Sequence, residues 1–144
     1  MNFLISDIKQ YQTIIQKILK YDDGPNVIAL VGDLGSGKTT FTKEIAKYLG
    51  VNQNVISPTF IIHREYLTSD IKKTLHHLDL YRLDHNFELD EIGLRNLVNA
   101  RNVIVIEWAD KFPKYIKSLE KIKSVQITWV NLEYIDEDTR RFSI

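Results

Sequence analysis

Gly32-Asp33-Leu34-Gly35-Ser36-Gly37-Lys38-Thr39 fills every required position of the Walker A pattern, G-x-x-x-x-G-K-[ST]. The chemistry such a run serves is capture of a chain of phosphates. Glycine admits backbone conformations and close approaches that a side chain blocks, so successive amides can turn toward phosphate oxygens. The start of a following helix adds positive potential at the same place. Lys38 is expected to reach the terminal phosphates of ATP, and the Thr39 hydroxyl to ligate Mg²⁺. Asp33, Leu34, Gly35, Ser36, Gly37 and Thr40 complete the stretch expected to bind the nucleotide. A glycine-rich turn with no ligand is the bland alternative. The apolar run before the motif and the helical pattern after it favour the phosphate loop.

A phosphate loop needs acidic groups to hold Mg²⁺ and to orient an attacking water. Asp79 stands late in the alternating segment His77-Leu78-Asp79-Leu80-Tyr81-Arg82, and Glu107 directly follows Val103-Ile104-Val105-Ile106. Ligands of open α/β sheets bind at the carboxyl ends of strands, where both acids are expected. Either can serve in catalysis or as a metal ligand, against the plainer readings of an edge-strand or turn acid for Asp79 and a solvated strand end for Glu107. His63, His76 and His77 include only an adjacent pair on opposite faces of a strand, so structural or surface roles are expected of them. Trp108 is open between a core-edge aromatic and a stacking surface. Lys43, Lys47, Lys72 and Lys73 read as solvated faces.

The elements that must position these groups follow from the apolar pattern. Phe3 to Ile5 reads as a short strand and Ser6-Asp7 as a helix cap. Ile8, Tyr11, Ile14, Ile15, Ile18 and Leu19 then form one helical stripe, stopped by the turn Asp22-Asp23-Gly24-Pro25. Asn26 to Val31 reads as a buried strand feeding the phosphate loop, with a helix from Lys38 to Leu49 and Gly50 as its stop. Thr59 to Tyr66 and Thr74 to Tyr81 look extended, joined hairpin-fashion through Ser69-Asp70. A weak helical pattern covers Glu88 to Ala100, and Val103 to Ile106 is the strongest buried-strand run. A short helix is expected after Phe112-Pro113, then strands around Val125 to Val130 and Arg140 to Ile144. The expected fold is one α/β domain over residues 1–144, a P-loop NTPase-like three-layer sandwich with a mixed, partly parallel central sheet and an antiparallel edge.

Composition narrows the classes. Nineteen basic residues balance nineteen acidic ones, so no overall field favours nucleic acid or an anionic membrane. The absence of cysteine excludes disulfide-linked partners, thiolate zinc sites and a cysteine nucleophile. The first residues lack the basic region of a signal peptide, and no apolar run approaches the roughly 20 residues needed to span a bilayer. A cytoplasmic protein without a membrane partner is expected.

Beyond the phosphate loop, four further blocks carry a family resemblance. They are Ser57-Pro58-Thr59-Phe60, His77-Leu78-Asp79-Leu80-Tyr81-Arg82-Leu83, Glu88-Leu89 with Ile92-Gly93-Leu94, and Ile106-Glu107-Trp108. In this order and at these separations the chain resembles the TsaE (YjeE) family, the P-loop ATPases of bacterial threonylcarbamoyladenosine tRNA modification. The resemblance implies that Lys38 and the loop amides bind ATP phosphates and that Thr39 and Glu107 hold Mg²⁺. It makes Asp79 the second acid, for catalysis or metal binding. It also puts Ser57 and Thr59 in a switch-like loop near the terminal phosphate and ties Trp108 to activity. Ser6-Asp7 and Arg140 fall in regions that approach the nucleotide in relatives. Ser36 stands where alanine is frequent, which a loop acting through its backbone tolerates. The implied partners are TsaD and TsaB, with tRNA engaged indirectly through that complex at adenosine 37. The rival expectation is a small-molecule or nucleoside kinase of P-loop fold, which needs an acceptor pocket and an arginine-bearing lid. A GTPase is disfavoured by the lack of an Asn-Lys-x-Asp motif, and a nucleotide-gated binding module is a third possibility.

Overall fold

A computed structural model describes residues 1–20 and 24–144. Strands β1 (Asn2–Ile5), β2 (Asn26–Val31), β3 (His63–Leu67), β4 (Thr74–Asp79), β5 (Val103–Glu107), β6 (Gln126–Tyr134) and β7 (Arg140–Ser143) form a single sheet. Its order is β1-β7-β6-β2-β5-β4-β3. The four inner strands β6, β2, β5 and β4 run parallel to one another. Antiparallel pairs close both sides, β3 on β4 and β7 on β6. The sheet is therefore mixed and partly parallel, as the sequence predicts.

Burial on both faces explains why β2 and β5 read as continuous apolar runs. Side chains alternate across the sheet, so each strand feeds two separate clusters. Ile28, Leu30, Val103 and Val105 pack under α1 (Tyr11–Ile18) and α2 (Lys38–Tyr48). Val27, Ala29, Ile104 and Ile106 pack under α3 (Asn86–Glu91), α4 (Leu94–Leu97) and α5 (Pro113–Ser118). Phe41, fully buried one turn into α2, meets Phe142 of β7 at 5.0 Å and Tyr11 of α1 at 5.7 Å between ring centroids. Tilted and edge-on aromatic pairs contribute about 0.5–1.5 kcal/mol each beyond their buried area. This cluster ties the start of α2, and with it the phosphate loop, to the rest of the molecule.

The structure differs from the sequence reading in four places. Thr59 to Ile62 is a turn: the Ile61 and Ile62 amides both donate to the Pro58 carbonyl, and Ile62 has φ 73°. Proline chemistry overrides the strand preference of Phe60-Ile61-Ile62, and β3 starts only at His63. At its other end β4 stops at Asp79, whose carboxylate accepts the Tyr81 amide at 3.0 Å and turns the chain. The pattern from Glu88 to Ala100 splits into α3 and α4 at Gly93, which has φ 72°. Strand β6 runs on past Val130 to Tyr134 because β7 pairs with its far half. Part of the predicted turn, Asp22-Asp23, lies outside the described residues.

Candidate phosphate and magnesium site

The loop between β2 and α2 turns at glycines, one of them at a point where a side chain would collide. A Cβ on Gly32 would lie 2.3 Å from the Leu132 carbonyl oxygen and 2.6 Å from Ser36 Oγ. Gly37, with φ 102°, caps α2 in the left-handed region. The Ser36 amide donates to the Asp33 carbonyl at 3.0 Å and closes the loop, and Phe41 N donates to Gly37 O at 2.9 Å to begin the helix. The start of an eleven-residue helix thus faces the loop's concave side.

Lys38 bends back over this loop. Its Nζ donates to the Gly32 carbonyl at 2.5 Å and the Asp33 carbonyl at 2.9 Å, and lies 4.1 Å from the Trp108 ring centroid. Burial lowers the Lys38 pKa, and the carboxylates of Glu107 and Asp79 oppose that shift.

The acids arrive from neighbouring strands. In register, Asp79 of β4 sits beside Glu107 of β5, which sits beside Leu30 of β2, so three parallel strands end together. Glu107 is buried, and its carboxylate accepts the Thr39 hydroxyl at 2.9 Å through Oε1 and 3.2 Å through Oε2. Asp79, also buried, accepts the Thr59 hydroxyl at 2.7 Å, and Ser57 Oγ lies 2.7 Å from that same hydroxyl. Immediately after Glu107, Trp108 adopts φ 58°. That turn swings its ring over Lys38 and to 5.0 Å from the Tyr81 ring. Trp108 is thus neither plain core nor free surface.

These groups surround a cavity of about 400 Å³. Leu34, Gly35, Gly37, Lys38, Thr39 and Thr40 line one wall. Ser57, Thr59, Asp79, Glu107 and Trp108 line the other, with Tyr81 and Arg140 at its margins. Two predicted loop residues point elsewhere. Ser36 is buried beneath the loop against Gly32, and Asp33 borders a neighbouring hollow. Asp7 caps the turn before α1 by accepting the Lys9 amide, and with Ser6 it lines a second hollow that shares Arg140, Gly37 and Thr40 with the first.

The sequence reading missed His77. Its Nε2 lies 2.7 Å from Glu107 Oε1, and the ring is wholly buried. The available signal was its place two residues before Asp79, on the same face of β4. His76 points to the other face, 3.1 Å from His63, and burial lowers its pKa to about 4.

The oxygen donors suit Mg²⁺. Among the described residues no three His, Asp or Glu side chains converge as a metal cage. Mg²⁺ instead takes few protein oxygens and completes its shell with phosphate and water, which matches Thr39, Glu107 and Asp79 beside a phosphate cradle.

Comparison with known proteins points to one family. The family model described as "Threonylcarbamoyl adenosine biosynthesis protein TsaE" matches residues 5–142. A tRNA threonylcarbamoyladenosine biosynthesis protein TsaE from Rickettsia felis is 40% identical over 132 residues, covering 90% of this chain and 71% of the relative. The protein of that name from Haemophilus influenzae is 32% identical over 129 residues, covering 90% and 75%. The crystal structure of Bacillus subtilis YdiB has the same fold, with a TM-score of 0.66 at 24% identity over 99% of this chain and 82% of that one. The chain belongs to the TsaE family of threonylcarbamoyl adenosine biosynthesis proteins.

Proposed function

We propose that residues 1–144 form a single P-loop ATPase domain of three-layer α/β architecture that binds ATP with Mg²⁺ and hydrolyses it. In this reading it acts in the cytoplasm with TsaD and TsaB, supporting threonylcarbamoyladenosine modification of tRNA adenosine 37 without touching the base itself. One observation carries the ATPase part: Lys38, Thr39, Asp79 and Glu107 meet around one cavity where parallel strands end. The family's role in threonylcarbamoyl adenosine biosynthesis supports the rest.

Each group has a task in the reaction. The loop amides and Lys38 hold the phosphates and draw charge toward the bridging oxygen. Thr39, with Glu107 and Asp79 close by, supplies oxygens for Mg²⁺, which when bound neutralises charge on the terminal phosphates. Glu107 or Asp79 orients the water for in-line attack on the γ-phosphorus. The Thr39 hydroxyl donates to Glu107 and the Thr59 hydroxyl to Asp79, which draws all four groups to one site. Hydrolysis by the isolated chain is expected to be slow, as the resemblance to partner-stimulated ATPases implies. Among the described residues no helix is long and apolar enough to cross a membrane.

ATP hydrolysis by the purified chain, alone and with its cognate TsaD and TsaB, tests this function. Slow turnover alone and strong stimulation by the pair are expected. Robust activity alone without stimulation, or phosphate passed to a small acceptor, would favour the kinase alternative.

A further inference from the structure

We infer that His77 is a positioning residue, holding the Glu107 carboxylate against Thr39 so that it presents a fixed oxygen to the magnesium-nucleotide site; this rests on the ATPase reading above. Three observations carry the inference. The His77 ring is wholly buried, with Nε2 2.7 Å from Glu107 Oε1. The same Oε1 takes the Thr39 hydroxyl at 2.9 Å, so one carboxylate oxygen is gripped from two sides. The other ring nitrogen, Nδ1, is buried with no hydrogen-bond partner.

The hydrogen-bond network assigns the donor. An ionised Glu107 can only accept, so His77 Nε2 carries the proton between them. Nδ1 is buried without a protein partner, a cost an apolar side chain of similar size avoids. Packing alone therefore gives no reason for histidine here, whereas the Nε2–H donor aimed at Glu107 does.

The geometry suits such a task. His77 lies on β4 in register with Val105 of β5, two residue pairs behind Asp79–Glu107 and on the same face. Its short, flat side chain starts from a strand hydrogen-bonded on both edges, and the ring itself is closed to water. A donor anchored this way fixes its acceptor far better than solvent could. Partners that orient a metal's ligands typically change metal affinity or activity by about 10–100-fold when removed.

Three substitutions test the assignment. In His77→Gln the side-chain amide can reach about where Nε2 stands; in His77→Asn it falls short; His77→Leu removes the donor. Each is measured for turnover with TsaD and TsaB present, and for binding of a fluescent ATP analogue in Mg²⁺ and in EDTA, with thermal unfolding as a folding control. The expected result is about a 10–100-fold loss of turnover in Leu and Asn, together with loss of the Mg²⁺-dependent gain in binding. Binding in EDTA should be unchanged, and Gln should recover much of both losses. Because Gln and Asn are both polar, that comparison stands even if Leu fails to fold. Wild-type turnover and Mg²⁺ response in Leu or Asn would overturn the proposal. So would Gln no better than Asn, or binding that falls equally in Mg²⁺ and EDTA, which marks a merely structural role. If wild type itself gained nothing from Mg²⁺, the ATPase reading would fail and this proposal with it.

Discussion

Lys38→Ala is expected to weaken ATP binding by about 100-fold, leaving a folded protein with no measurable turnover at ordinary nucleotide concentrations. The ammonium now donates to the Gly32 and Asp33 carbonyls, close to where β- and γ-phosphate oxygens would lie. Each hydrogen bond from a charged donor is worth about 1.5–3 kcal/mol. Two such bonds to phosphate, less the loop contacts given up, leave a net of roughly 3 kcal/mol, or about two decades in affinity. Folding should survive, because α2 is anchored by buried Phe41 and Ile45 rather than by the lysine. Titration calorimetry with Mg²⁺-ATP reads the effect directly. Equal affinity in variant and wild type would remove the phosphate-loop assignment.

Glu107→Ala should separate binding from chemistry. The loop amides and Lys38 are untouched, so ATP is expected to bind within a few-fold of wild type in EDTA, while the Mg²⁺-dependent gain in binding is lost. Turnover is expected to fall by about 10²–10⁴-fold, the range for losing a group that handles the proton or orients the nucleophile. The variant also leaves the Thr39 hydroxyl and His77 Nε2 without their shared acceptor, so some thermal stability should be lost. Single-turnover hydrolysis with TsaD and TsaB present reads the chemical step apart from product release. Unchanged turnover would take Glu107 out of the reaction and leave Asp79 as the working acid. If partner binding persists while hydrolysis fails, nucleotide-gated docking and catalysis are separable functions of one site.

What could be read before the structure was what depends on neighbours in sequence. The phosphate loop is local chemistry on eight consecutive residues, so Gly32 to Thr39 was legible outright. The runs Asn26 to Val31 and Val103 to Ile106 were legible because strands buried on both faces have no polar side to show. That Asp79 and Glu107 stand in register was only an expectation about strand ends; pairing β4 with β5 sets it. The contacts Thr39–Glu107 and His77–Glu107 join residues 68 and 30 positions apart, and no periodicity encodes such distances. Thr59 to Ile62 was misread for a different reason. Its apolar residues favour a strand, but the Pro58 carbonyl captures two amides and forms a turn, which brings Thr59 to Asp79. Phe60 and Ile61 are left exposed as a result, so strand-like composition there reflects a site loop rather than a core.

The central claim is that Thr39 and its neighbouring carboxylates receive magnesium beside a triphosphate. A crystal structure with Mg²⁺ and a non-hydrolysable ATP analogue tests it most directly. The expected result is a triphosphate within the Gly32 to Lys38 loop and Mg²⁺ about 2.0–2.1 Å from Thr39 Oγ1, with Glu107 in contact directly or through one water. A nucleotide bound elsewhere, or Mg²⁺ held without Thr39, would contradict the account.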